Sequence, residues 1–67
     1  MDFVEKAQIK LDHWIKHNDN HQEEYQLFSG QLEETGKKRS AEHIKKMIAL
    51  EIKSNDHLRM ALKELKQ

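Results

Sequence analysis

Five histidines in 67 residues are the side chains best suited to chemistry in this chain, and His13, His17 and His21 recur at every fourth position. On a helix, a step of four residues lifts one Cα about 6 Å above the other on nearly the same face, so two imidazoles can converge on one ion. The chemistry to weigh is therefore capture of a divalent transition metal such as Zn, Ni, Co or Cu. His13 and His21 lie about 12 Å apart along the axis, too far to share an ion, and a helical wheel turns His13 to solvent. The useful pair is His17 and His21, with Glu24 one turn further on and Glu51 arriving from the second half of the chain. Affinity at such a site falls as the imidazoles take up protons.

A structural role competes with this reading and takes precedence over it. The spacing H-x-x-x-H is a frequent accident of helices, and a histidine beside a glutamate is more often a hydrogen-bonded pair than a ligand set. The Glu-x-x-His pattern of di-iron carboxylate bundles is absent, and His43 and His57 fall on outer faces as solvated side chains. No nucleophile elbow, phosphate-cradling glycine loop or serine placed with a base occurs, so the chain reads as non-enzymatic.

Composition narrows the class further. Apolar and charged residues each make up 36%, cysteine and proline are absent, and the mean hydropathy is -1.02. Missing cysteine removes disulfides, thiolate zinc sites and cysteine nucleophiles together. No apolar run approaches the roughly 20 residues that cross a bilayer, and no cationic start leads into an apolar stretch, so a cytoplasmic protein away from membranes is predicted. A formal net charge of zero gives no case for nucleic acid. The total hides an asymmetry: residues 2–35 carry eight acids against three bases, and residues 37–66 nine bases against four acids. Opposite halves favour lying against each other, although each solvated pair adds only about 0–1 kcal/mol. Lys37-Lys38-Arg39 could touch an anion or RNA, but three bases at a turn are more often a solvated connector.

The elements that must position these groups are helices. Glu, Lys, Gln, Leu and Ala dominate, no strand-like alternation occurs, and only Thr35-Gly36 punctuates the chain. Helices near 2–35 and 38–66 with a turn at 36–37 are predicted, Asp2 with Glu5 resembling a capping box and Gly36 closing the first helix. A straight wheel gathers Val4, Ala7, Leu11, Trp14, Tyr25 and Leu32 into one stripe, with Phe3, Ile15 and Phe28 at its margins, and makes Trp14 and Tyr25 core anchors. On the second helix the stripe is Ala41, Ile44, Ile48, Leu58, Leu62 and Leu65. Asn18-Asp19-Asn20 is a poor helical run, which keeps a three-helix bundle as the alternative.

Folding about the turn pairs residues whose numbers sum to about 73, which brings Asn18 to Asn55 in a polar seam layer with His21 and Glu51. A buried asparagine layer of this kind fixes register and oligomer state at some loss of stability. Two helices cannot enclose so wide a stripe, so the hairpin is predicted to dimerise into a four-helix bundle or to dock on another helical protein.

The run His13-Trp14-Ile15-Lys16-His17-Asn18-Asp19-Asn20-His21-Gln22-Glu23-Glu24-Tyr25, written HWIxHNxxHxEEY, resembles the signature of a group of small uncharacterised prokaryotic proteins with a helical-hairpin domain. The resemblance implies a compact helical domain of unknown function and carries no catalytic residue. Together these readings give an all-α, single-domain chain over residues 1–67: an antiparallel two-helix hairpin acting as an interaction module, with metal binding through His17, His21, Glu24 and Glu51 as the alternative.

Overall fold

A computed structural model describes residues 1–67 as two long helices, α1 (Phe3–Glu34) and α2 (Lys38–Leu65), laid antiparallel in a rod 51 Å long. The Asp2 side chain accepts a hydrogen bond from the Glu5 backbone N–H at 2.8 Å, satisfying one of the donors that every helix start leaves free. At the other end the Lys37 N–H donates to the Leu32 carbonyl at 2.8 Å and the Gly36 N–H to that of Glu33 at 3.0 Å, a Schellman closure. It needs a left-handed residue, and Gly36 provides one with φ 84°. α2 opens from Lys37 with no side-chain cap.

The helix α1 runs unbroken through Asn18-Asp19-Asn20, so the three-helix alternative does not form. The reason lies in where the side-chain polar groups go. Asn18 and Asp19 are both hydrogen-bonded to Asn55 on α2, so they do not compete with their own backbone as such residues do in isolated helices.

Every position of two interlocking rows is buried or half-buried: 8, 11, 15, 18, 22, 25, 29 and 32 on α1, and 41, 44, 48, 51, 55, 58, 62 and 65 on α2. The spacing alternates between three and four, the heptad of a coiled coil, and each residue of one row has a partner in the other whose number completes 73. Two hydrogen bonds pin that register directly, Asn18 Nδ2 to Asn55 Oδ1 at 3.2 Å and Gln8 Nε2 to the Leu65 carbonyl at 3.4 Å.

The straight wheel misplaces part of this core. Trp14 remains 46% exposed and Val4 43%, so neither is a core anchor, whereas Ile15 and Ser29 are buried. Over the 18 residues from Trp14 to Leu32, a helix following a 3.5-residue seam gains about 50° on a straight one, which carries Trp14 off the interface. Ser29 belongs in the seam because its hydroxyl donates to the Ala41 carbonyl at 3.4 Å and its small side chain lets the chains close above the turn.

The two glycines predict opposite responses to alanine. A Cβ at Gly30 or Gly36 would meet no atom within 4 Å, so only backbone conformation decides. Gly30→Ala, inside α1, should stabilise the fold by about 0.5–1 kcal/mol, and Gly36→Ala should destabilise it by about 1–2 kcal/mol. Thermal melting followed by circular dichroism checks both signs.

Candidate functional site

The seam carries its polar layer at mid-length. Asn55 is fully buried, yet its Oδ1 accepts from Asn18 and its Nδ2 donates to the Ile15 carbonyl at 3.2 Å and to Asp19 Oδ1 at 2.7 Å. Asp19 also takes both oxygens to Arg59 Nη2, at 2.9 and 3.1 Å, and Arg59 reaches Asp56 at 3.4 Å. No buried side-chain polar atom is left unpaired. Asp19 and Arg59 complete a network that the two asparagines alone do not suggest; their signal in the sequence is that each follows its asparagine by a step, one residue and four residues, that stays on the same side of the seam.

The histidines form a ladder down α1. His13 stacks on His17 with ring centroids 6.1 Å apart, His17 meets His21 edge to face at 4.3 Å, and His21 stacks on Tyr25 at 5.9 Å. Since four residues overshoot one helical turn, the row drifts from the outer surface at His13 to the seam at Tyr25. Within it the Nε2 atoms of His17 and His21 lie 2.9 Å apart, and His21 Nδ1 lies 3.4 Å from a Glu24 carboxylate oxygen. Glu51 stands apart from this group. It occupies the seam at the level of Gln22, half-buried, and neither imidazole is paired with it. The structure thus brings His17, His21 and Glu24 together without Glu51, and no three of its histidines and carboxylates converge closely enough to hold an ion unaided.

The two flanks of the seam differ in chemistry. On one, the α1 row Asp12, Asp19, Gln26 and Glu33 runs beside the α2 row Lys45, Ile52, Arg59 and Lys66, and both interhelical ion pairs, Asp19–Arg59 and Glu33–Lys45, lie there. On the other, Ala7, Trp14, His21 and Phe28 run beside Ser40, Met47, Ser54 and Ala61, with no carboxylate, ammonium or guanidinium in either row. Trp14 and Phe28 are about half exposed, and Lys10 reaches over the Trp14 ring, its Nζ 5.9 Å from the centroid. Lys37, Lys38 and Arg39 are exposed beside the turn.

Asn55→Ala should lower stability by about 1–3 kcal/mol, because it strands the partners of a buried amide. Replacing Asn18 and Asn55 together by leucine should recover most of that loss, since an apolar pair removes the unsatisfied groups as well as the bonds. Urea unfolding of the single and double variants measures the difference.

No curated protein and no solved structure matches the chain. A family model does, over residues 7–65, which take in the whole seam from Gln8 to Leu65 and leave out only the chain ends. The chain therefore belongs to the family described as Domain of unknown function (DUF8180).

Proposed function

We propose that this domain is a non-enzymatic interaction module that works by self-association, a second copy seating on its uncharged flank to complete a four-helix bundle. The observation that carries the reading is the segregation of charge: both rows of that flank are free of charged side chains, and Trp14 and Phe28 stand half exposed in them. Aromatic residues in an uncharged patch are the usual centre of an interface.

The area available agrees with a second copy. The chain exposes 5536 Å² at 8.0 kDa. A folded monomer of this mass typically exposes about 4,450 Å², so roughly 1,100 Å² per chain is in excess. Covering it on two copies would bury about 2,200 Å², within the range of obligate homodimers. Side-chain size selects the arrangement. A twofold axis parallel to the rod sets α1 of each copy against α2 of the other, so that Trp14 and Phe28 face a row of two serines, one alanine and one flexible methionine. An axis perpendicular to the rod would instead set the large aromatics against one another. No helix is long and apolar enough to cross a membrane, and the module is proposed to act in the cytoplasm without nucleic acid.

Sedimentation equilibrium tests the reading. The chain should have the mass of a dimer, Trp14→Glu and Met47→Glu should each give monomers, and Ile52→Glu on the ion-paired flank should leave the dimer intact. A monomer at high concentration would overturn self-association and make a foreign helical protein the occupant of the flank.

A further inference from the structure

We propose that His17 and His21 form a two-nitrogen chelate for a late divalent transition metal, Cu(II) or Ni(II), with Glu24 as a positioning residue. The site is built from the residues of one chain; His21 lies in the row that a second copy would cover, whereas His17 and Glu24 stand outside it, so its open positions are those of the single hairpin.

The distance between the two nitrogens fits a right-angled pair of metal bonds without rearrangement. Metal–imidazole bonds of about 2.05 Å at a right angle separate two nitrogens by about 2.9 Å, whereas a tetrahedral ion spreads them to about 3.3 Å. The His17 and His21 Nε2 atoms are 2.9 Å apart, the cis edge of a square-planar or tetragonal site. The Irving–Williams order points the same way for copper, which it places above both nickel and zinc. Two protein nitrogens leave the remaining positions to water, which matches the exposed setting of His17 and the half-buried one of His21.

Protonation is arranged for it as well. Two imidazole nitrogens at 2.9 Å share a single proton, one donating and one accepting. Glu24 lies at 3.4 Å from His21 Nδ1 and favours the proton there, which turns the His21 Nε2 lone pair toward His17. His17 Nε2 then carries the shared proton. Binding requires only that this proton move to His17 Nδ1 through solvent, and both rings remain neutral. A metal ion would replace the shared proton at the same pair of atoms.

Titration with copper(II) or nickel(II) chloride in a non-coordinating buffer, read by calorimetry and by nitrogen hyperfine splitting in the Cu(II) electron paramagnetic resonance spectrum, tests the site. One ion per chain is expected. His17→Ala and His21→Ala should each weaken affinity at least about tenfold, and Glu24→Gln about tenfold with metal-free helicity and melting unchanged. His13→Ala and His57→Ala should leave affinity unaltered. Trp14→Glu, designed to be monomeric, leaves the His21 row uncovered and should bind at least as tightly as the parent, so failure of the chelate is distinguishable from failure of self-association. Parent-like affinity in the His17→Ala/His21→Ala double variant, or loss of binding with His13→Ala or His57→Ala, would overturn the proposal.

Discussion

The buried amide of Asn55 is the constraint on which the rest of the rod depends. Its Nδ2 donates twice and its Oδ1 accepts once, and the three partners, Asn18, Asp19 and the Ile15 carbonyl, are assembled in one alignment of the helices only. Sliding α2 by one heptad would set Asn18 against Ile48 or Leu62 and leave the amide buried without partners, a loss of about 1–3 kcal/mol for each stranded group. Aliphatic layers tolerate such slips far better, because one leucine layer resembles the next. The polar layer thus converts a sticky stripe into a single alignment. The charged flank inherits its partners from it, since the Asp19–Arg59 and Glu33–Lys45 pairs form only when the seam is in step.

Charge contributes order more than strength. The Asp19 and Arg59 side chains remain nearly half exposed, so water and salt screen their pair, and its worth follows from two-oxygen geometry and its link to Asn55. At the turn, charges even oppose the helix dipoles: Glu33 and Glu34 end α1, and Lys38 and Arg39 begin α2. The two unfavourable ends sit side by side and offset each other, with Lys45 reaching Glu33 across the gap.

The sequence makes the helices, the turn and the facing of Asn18 with Asn55 readable, because composition, one positive-φ glycine and a fixed sum of residue numbers are local or arithmetic signals. The status of Trp14 is not readable from a straight wheel, because supercoiling is a property of the pair and accumulates along 32 residues. Ser29 escapes notice because a serine signals nothing about burial until a carbonyl stands opposite it. Glu51 shows the limit of level-matching: it shares a height with the histidine row but belongs to the seam row and pairs with neither imidazole, and height does not fix azimuth. Arg59 is one of twelve basic residues, and charge totals cannot single it out as the one that clasps Asp19.

Because the facing numbers have a constant sum, sequence separation across the seam widens steadily away from Gly36, from 9 at Leu32–Ala41 to 37 at Asn18–Asn55 and 57 at Gln8–Leu65. Each layer closes a loop already shortened by the layer before it, so the entropy of chain closure is met in small steps rather than all at once. Such a topology zips from the turn outward and frays from the open end inward, as local connectivity makes rapid folding. Midway, the zipper meets a gate: the asparagine layer admits passage only to helices that have started in step, and proofreads the alignment before the distal half has closed.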